Sequence, residues 1–305
     1  MRYALWVSWV SWVLLRIIWN FHDIVVAKVK KVLKNTCRYQ EIKIIMNSIL
    51  DIIVSAKKIE VANLKRTKPV SELKKISGDV PLPRNFPAAL SSGACNIIAE
   101  VKKCSPSKGV IRENFNHLQI ASIYENNGAA AISVLTDQEF FGGNKIYLSE
   151  IKNITHLPLL RKDFIIDAWQ IYETRALEGD ALLLIAGILT QEELKDFIGL
   201  TELLGMYPLV EVHNRVELDK ALLAGAAIIG VNNRDLNTFS TDIHVSMDLK
   251  SHVPADKIFI SESGIHNRED IEILMKYGIN AFLIGETLMR AEDIGKKMNE
   301  MLGKV

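Results

Sequence analysis

Short apolar segments alternate with helical segments along most of the chain. From Asn96 onward, eight runs rich in aliphatic and β-branched residues are separated by stretches whose apolar residues recur at helical spacing. This alternation is typical of parallel strands joined by crossover helices. Eight such units in about 190 residues favour an α/β fold closed as a (β/α)8 TIM barrel over an open doubly wound sheet. The predicted strands are 96–102, 130–135, 159–162, 181–185, 208–212, 228–232, 258–262 and 281–284, and the clearest helices are 118–126, 168–178, 191–204, 215–223 and 268–277.

Extra helices precede the first predicted strand. Residues 46–65 carry apolar side chains at helical spacing, and a short helix capped by Ser71 follows them. These helices form either a plug or lid across one end of the barrel, or a plain outer layer, and the sequence leaves both open. The predicted barrel domain, with its extra N-terminal helices, spans residues 46–305, the usual size of this fold.

Residues 1–45 differ from the rest of the chain in composition. They hold four of the five tryptophans and eight basic against two acidic residues, whereas the remainder holds 29 basic and 34 acidic residues. An apolar run from Tyr3 to Trp19 would make a helix of about 25 Å, shorter than the roughly 30 Å hydrocarbon core, and Arg16 interrupts it. The segment is either a weak membrane anchor or upstream sequence ahead of a working start at Met46. We favour the second, so we expect residues 1–45 to lie outside the fold and to make no membrane contact.

Composition also limits the partners and the compartment. The acidic body has no basic stripe, which argues against nucleic acid as a partner. Three cysteines, Cys37, Cys95 and Cys104, show no paired spacing and have no neighbouring histidines. This pattern indicates a reducing, cytoplasmic compartment, with no disulfide framework and no structural zinc.

Ionisable side chains stand near the ends of five predicted strands, where barrel enzymes hold their active sites. Because side chains alternate across a strand, several of these groups share a face with residues of the barrel interior. Three glutamates and two lysines that converge on one mouth would shift one another's pKa values, as acid–base catalysis requires. Burying them for stability alone would be unfavourable. The inward-facing residues are Glu100, Lys102, Lys162, Glu211, Asn232 and Glu262, with Arg234 two residues beyond Asn232.

Small residues follow the last two strands. Ser263 and Gly264 come after the seventh strand, and Gly285 and Glu286 come after the eighth, ahead of a helix. Backbone N–H groups at such a helix start bind anions, and these two loops are the common phosphate site of the barrel fold. The Glu286 side chain would repel a phosphate if it pointed inward, so the backbone is expected to bind it. The sequence therefore predicts a phosphorylated small-molecule substrate.

Six ordered sequence blocks resemble the indole-3-glycerol-phosphate synthase family of tryptophan biosynthesis. They are IAEVKKCSPSKG (98–109), LLRKDF (159–164), PLVEV (208–212), IGVNNRDL (229–236), SESGI (261–265) and FLIGETLM (282–289). The similarity covers residues 46 to about 302 and leaves out the extension. Cys104 stands where relatives tend to have a small or basic residue.

The resemblance implies a carbon–carbon lyase of the carboxy-lyase class. Its substrate would be 1-(o-carboxyphenylamino)-1-deoxyribulose 5-phosphate, which loses carbon dioxide and water on ring closure to give indole-3-glycerol phosphate. Lys162 would be the general acid and Glu211 the general base. Lys102 would pair with the substrate carboxylate, and the resemblance leaves open which of the two lysines delivers which proton. The other implied site residues are Glu100 at the leaving hydroxyl, Asn232, Glu262, Ser105 and Arg234 around the substrate, and Phe141, Phe164 and Leu183 at the aryl ring. The reaction needs no metal and no redox cofactor.

Two alternative functions fit the sequence less well. Phosphoribosylanthranilate isomerase, another phosphate-binding barrel enzyme, uses a cysteine and an aspartate as its acid–base pair, which Glu100, Lys102 and Lys162 do not match. A non-catalytic, membrane-tethered barrel would not require the lysines and glutamates together. Family members occur fused to or in complex with other tryptophan-pathway enzymes, so those enzymes are the candidate partners.

Overall fold

The computed structural model describes residues 49–236 and 238–304. The extension 1–45 and the boundary at Met46 lie outside the described residues, so both remain predictions. Within the described ranges, no helix has the length and apolar character needed to cross a membrane.

Eight parallel strands close into a barrel, which confirms the predicted TIM-barrel fold. Each strand pairs with its neighbours in sequence, and the last strand pairs with the first, with Ala281 opposite Asn96. The strand ends differ from the predicted ones by one residue at three places and coincide elsewhere. The barrel strands are β1 (Asn96–Val101), β2 (Ala131–Leu135), β3 (Leu159–Lys162), β4 (Ala181–Ile185), β5 (Tyr207–Val212), β6 (Ile228–Asn232), β7 (Ile258–Glu262) and β8 (Ala281–Ile284).

Helices precede, separate and follow the strands. Thr190 shows how the sequence starts one of them, because its hydroxyl accepts from the Glu193 N–H at 3.1 Å while the Glu193 carboxylate accepts from the Thr190 N–H at 2.8 Å. The helices are α1 (Ile49–Thr67), α2 (Val70–Asp79), α3 (Phe86–Leu90), α4 (His117–Asn126), α5 (Ile146–Lys152), α6 (Ala168–Ala176), α7 (Gln191–Leu203), α8 (Arg215–Leu223), α9 (His244–Lys250), α10 (Arg268–Lys276), α11 (Glu286–Arg290) and α12 (Ile294–Leu302).

The alternation of side chains across the strands divides the core into two layers. Residues such as Ile97 and Ala99 pack outward against the helices, and their neighbour Ile98 packs inside the barrel. Leu160 and Leu209 belong to the same inner layer. The inner layer thus begins with apolar side chains, and the inward side chains two positions further along, such as Glu100, Lys162 and Glu211, reach the carboxyl end of the barrel.

The extra helices take both arrangements that the sequence left open, since one covers an end of the barrel and another lies in its outer layer. Helix α3 packs against β1 and β2, and its Phe86 and Leu90 belong to the inner core, so this helix closes the amino end of the barrel. Helix α1 packs its second half on α6 through a cluster of Val61, Leu73 and Trp169. The predicted cap at Ser71 is wrong, because α2 starts at Val70 and Ser71 lies in its first turn.

Candidate active site

A cavity of about 1220 Å³, counting the space at its mouth that is open to solvent, lies at the carboxyl ends of the strands. Every site residue predicted from the sequence lines it, although these residues come from all eight strands or the loops that follow them. They are Glu100, Lys102, Ser105, Phe141, Lys162, Phe164, Leu183, Glu211, Asn232, Arg234, Glu262, Ser263, Gly264, Gly285 and Glu286. The closure of the barrel brings together groups that are up to 186 positions apart in the chain (100 to 286).

Lys162 lies at the centre of the charged part of the cavity. Its ammonium group is 2.9 Å from Glu211 Oε2 and 3.0 Å from Glu262 Oε2. All three groups come from strand ends, Lys162 from β3, Glu211 from β5 and Glu262 from β7, and the two carboxylates are buried. The single positive charge of Lys162 therefore lies between two carboxyl groups, and it cannot neutralise both of them if both are ionised.

Burial and charge set the pKa values of these three groups apart. Burial favours neutral Glu211, but Lys162 and His213 outweigh it and lower the pKa of Glu211 to about 2. Burial raises the pKa of Glu262 to about 7, with Lys162 opposing the shift and Glu211 adding to it. Burial also disfavours the Lys162 ammonium, but the surrounding glutamates, first of all Glu211, raise its pKa above the usual range. Near neutral pH the site thus holds an ionised Glu211, a charged Lys162 and a partly protonated Glu262.

A second ion pair lies beside this centre. Lys102 Nζ is 2.5 Å from Glu100 Oε2, and the Glu100 side chain is buried while Lys102 is half-buried at the cavity wall. The backbone carbonyl of Glu100 accepts a hydrogen bond of 3.0 Å from the Tyr124 hydroxyl on α4, which fixes the end of β1. A carboxylate and an ammonium group therefore stand together on the β1 side of the cavity.

Two glycines make room for the carboxylates. A side chain at Gly230 in β6 would overlap Glu262 Oε1, and one at Gly285 would overlap Glu100 Oε2. Among the described residues, Glu262 Oε1 is buried without a hydrogen-bond partner. That oxygen packs against the backbone of Gly230, so the glycine provides the space that the Glu262 carboxylate occupies.

The loops after β7 and β8 form the anion-binding end. Ser263 and Gly264 adopt positive φ values of 66° and 74°, a turn that is strained for Ser263. Helix α11 then starts at Glu286, whose carboxylate accepts from Arg290 at 2.9 Å and lies 3.5 Å from Arg234. Because both arginines engage the Glu286 carboxylate, its charge is compensated and the N–H groups at the helix start can meet an anion.

The opposite wall is apolar. The rings of Phe141 and Phe164 lie with centroids 6.0 Å apart and an interplanar angle of 37°. Leu183 and three residues from the start of α1, Ile49, Leu50 and Ile53, line the same cavity. A flat aromatic group fits between such surfaces.

Sequence reasoning did not identify several residues of the site. The α1 residues of the apolar wall were predicted only as a helix, without a position. His213, just beyond β5, lies with its Nε2 3.4 Å from Glu211 Oε1. Lys57 of α1 is buried against Asp137 and Asp163, the latter next to Lys162. For Gly230 a signal existed, because an isolated glycine inside a strand often marks a close approach.

The fold and the site together define a barrel enzyme that works by acid–base chemistry on an anionic substrate. Solved structures share the fold at low identity. Thiamine phosphate pyrophosphorylase from Pyrococcus furiosus matches with a TM-score of 0.54 and 13% identity over 72% of this chain and 96% of that one. The 3-hexulose-6-phosphate synthase from Salmonella typhimurium matches with a TM-score of 0.56 and 11% identity over 68% and 96%. These two similarities establish the fold alone.

The sequence comparisons identify the family. Residues 50–301 match the family model of indole-3-glycerol phosphate synthase. The synthase of Alkaliphilus metalliredigens is 50% identical over 254 residues, which cover 83% of this chain and 97% of that protein. The synthase of Legionella pneumophila strain Paris is 51% identical over 259 residues, covering 84% and 99%. The chain belongs to the indole-3-glycerol phosphate synthase family and is a carboxy-lyase of tryptophan biosynthesis.

Proposed function

We propose that the cavity converts 1-(o-carboxyphenylamino)-1-deoxyribulose 5-phosphate into indole-3-glycerol phosphate with Lys162 as the general acid. The observation that carries this assignment is the Lys162 ammonium held 2.9 Å and 3.0 Å from two buried carboxylates. A charged lysine fixed at the centre of the cavity can give a proton to an oxygen that develops negative charge.

The substrate has three parts that match three regions of the cavity. Its phosphate fits the backbone N–H groups of Ser263 and Gly264 after β7 and of Gly285 just before α11, with Arg234 nearby. Its aryl ring fits the apolar wall around Phe141, Phe164 and Leu183. Its carboxylate pairs with Lys102, and Ser105, Asn232 and Glu262 hold the sugar part between them.

Ring closure is the first chemical step. The aryl carbon that bears the carboxylate attacks the ribulose carbonyl carbon, and the carbonyl oxygen takes a proton from Lys162 to become a hydroxyl. An alkoxide is a stronger base than an amine, so this transfer is favourable even though the pKa of Lys162 is raised. The carboxylate then leaves as carbon dioxide, and the electron pair of its bond restores the aromatic ring.

Dehydration is the second step. The new hydroxyl leaves as water with a second proton, delivered by the Lys102 ammonium or by Lys162 after solvent has returned its proton, with Glu100 facing the leaving group. Glu211 takes a proton from the carbon next to the ring nitrogen, and that electron pair forms the indole double bond. A carboxylate with a pKa of about 2 in the unliganded site becomes more basic once Lys162 has given up its proton.

The chain acts on a phosphorylated small molecule, and we extend the proposal to its cellular compartment and its partner proteins. We expect the enzyme to be cytoplasmic and to contact other enzymes of tryptophan biosynthesis. The family membership supports both expectations.

The Lys162→Ala variant tests the assignment. We expect kcat to fall by roughly 10²–10⁴ and KM to stay within about tenfold, because a general acid acts chiefly in the transition state. Product formation is followed by the fluorescence of the indole. Lys103→Ala, which removes an exposed lysine on the adjoining loop, is the matched control and should keep its activity. Retention of more than about a tenth of kcat in Lys162→Ala would remove Lys162 from the role.

A further inference from the structure

His213 is a buried titratable residue that the proposed mechanism does not use. It follows β5 by one residue, and its side chain is 15% exposed. Its Nε2 lies 3.4 Å from Glu211 Oε1, and among the described residues this nitrogen has no hydrogen-bond partner. Lys162 contacts the other oxygen of the same carboxylate, Glu211 Oε2. Glu211 is therefore flanked by Lys162 on one side and by His213 on the other.

Glu217 holds the imidazole in place. His213 Nδ1 is 3.0 Å from Glu217 Oε2, and the backbone N–H of His213 donates to the same oxygen at 2.9 Å. The Asn214 side chain donates to Glu217 Oε1 at 2.9 Å and caps α8 by accepting from the Glu217 N–H at 3.0 Å. Glu217 is thus fixed by four hydrogen bonds in the first turn of α8, and it fixes the ring whose other nitrogen faces Glu211.

The surroundings favour the charged imidazolium. Burial opposes the charge, but the hydrogen bond to Glu217 and the charges of Glu211, Glu217 and Glu262 outweigh it and raise the pKa of His213. On its outer side, His213 borders a second cleft between α1, α8 and the loop after β6. The charged residues that line this cleft besides Glu217 are Asp51, Arg234, Asp235 and Asp242.

We propose that His213, held by Glu217, is a positioning residue that orients Glu211 and keeps it ionised while Lys162 is engaged with the substrate. In the unliganded site Lys162 and His213 both stabilise the Glu211 anion. Once Lys162 turns to the ribulose oxygen and gives up its proton, His213 is the cation that remains beside Glu211. The Glu211 carboxylate can then stay ionised until the second step, in which it takes the carbon-bound proton. The proposal rests on the role of Glu211 as the general base.

His213→Gln tests the proposal through the pH dependence of kcat, which reports the enzyme–substrate complex. Loss of the cation raises the pKa of Glu211, so the acid limb of the profile should move to higher pH by about one unit. At neutral pH kcat should fall about tenfold because Glu211 is no longer held in its orientation, while KM changes less than about threefold. Glu217→Gln leaves the imidazole but removes its anionic partner, and should shift the acid limb in the same direction by less.

The matched control is His117→Gln on the outer helices. His117 is 18% exposed and its Nε2 is 2.6 Å from Glu150, so this variant removes a histidine of similar exposure that also pairs with a glutamate, away from the cavity. It should leave the pH profile unchanged. An unmoved acid limb in both His213→Gln and Glu217→Gln, or an effect confined to KM, would overturn the proposal. If His213→Gln does not fold, as judged by circular dichroism, the result with Glu217→Gln decides.

A double variant separates this proposal from the assignment of Glu211. If His213 acts through Glu211, His213→Gln should add little to the loss already caused by Glu211→Gln. If Glu211→Gln is nearly inactive and the losses of kcat from the two substitutions are fully additive, the positioning role of His213 is refuted and Glu211 remains the general base. An active Glu211→Gln variant would instead refute the role of Glu211, whatever His213→Gln does.

Discussion

At the scale of single residues, the site depends on one lysine shared by two acids. Lys162 lies between Glu211 and Glu262, and the pKa values of these two carboxyls are about 2 and about 7. Two carboxyls whose surroundings push their pKa values apart can take opposite roles in acid–base chemistry. Glu211 is ionised and suits the base, whereas Glu262 holds a proton for part of the time and can donate a hydrogen bond to the substrate.

The raised pKa of Glu262 predicts how stability depends on pH. Its pKa is about 7 in the folded protein and 4.5 in the reference state, so the folded protein binds this proton more tightly. Stability therefore falls as the pH rises toward 7 and stays lower above it. Glu262→Gln removes this contribution, so the free energy of unfolding of the variant relative to wild type should rise by about 2 kcal/mol between about pH 5.5 and about pH 8.5.

Urea unfolding at both pH values measures that difference, and kcat of the same variant should be reduced. Asp248→Asn, which changes an exposed acid on α9, should show no such pH dependence. An equal stability difference at both pH values would contradict the raised pKa of Glu262.

Sequence patterns identified the ionisable side chains at the strand ends but not the residues that hold or accommodate them. The alternation of side chains placed Glu100 and Glu211 inside the barrel, because Ile98 and Leu209 two positions earlier are apolar. His213 follows the last strand residue, where alternation no longer applies, and its contact with Glu217 depends on how α8 begins. Gly285 is small because the Glu100 carboxylate occupies the space in front of it, which only the closed barrel reveals.

At the scale of secondary-structure elements, α1 connects the outer layer to the active site. Its Lys57 is 2% exposed and lies 2.8 Å from Asp137 and 3.0 Å from Asp163. Asp163 directly follows Lys162, so this ion pair ties α1 to the strand end that carries the general acid. Helical periodicity predicted α1, but a periodic pattern indicates only that one face is buried and not against which element.

Lys57→Met should be strongly destabilising. The substitution leaves the buried Asp137 without its cation and Asp163 with Arg161 as its only cation among the described residues, a change that costs about 3–5 kcal/mol. KM should also rise, because the start of α1 forms part of the apolar wall. Urea unfolding gives the first quantity and steady-state kinetics the second.

Lys65→Met on the same helix is the control for Lys57→Met. Lys65 pairs with Asp167 at 2.8 Å, but the two side chains are 47% and 32% exposed, so its removal should change stability by less than about 1 kcal/mol. Equal losses of stability in the two variants would show that the buried ion pairs of Lys57 stabilise the fold no more than the exposed pair of Lys65.

At the scale of the whole molecule, the barrel could be predicted because its repeat is regular. Eight similar units give eight independent indications of one architecture, and the strand ends agreed to within one residue. The way in which α1 and α3 cover the barrel could not be predicted, since it follows from contacts with β1, β2 and α6 that are distant in sequence. The extension 1–45 has no counterpart in the family match, which begins at residue 50.

We predict that a variant that starts at Met46 keeps its fold and activity. All strands of the barrel and all residues that line the cavity lie at Ile49 or beyond. Far-UV circular dichroism and the indole fluorescence assay, applied to both forms, check this. A truncated protein that is insoluble or inactive, beside an active full chain, would contradict the boundary. Salt-sensitive pelleting of the full chain alone with membranes would favour the anchor interpretation of residues 1–45.

The central claim is that the chain is a ring-closing carboxy-lyase, and the stoichiometry of carbon dioxide release tests it most directly. The full chain is incubated with 1-(o-carboxyphenylamino)-1-deoxyribulose 5-phosphate labelled at the carboxylate carbon, and labelled carbon dioxide and indole-3-glycerol phosphate are quantified together. The account predicts equimolar amounts of the two at all times with the wild-type chain, and formation of both slower by roughly 10²–10⁴ with Lys162→Ala. Consumption of the substrate without release of labelled carbon dioxide, as an isomerase would give, would contradict it.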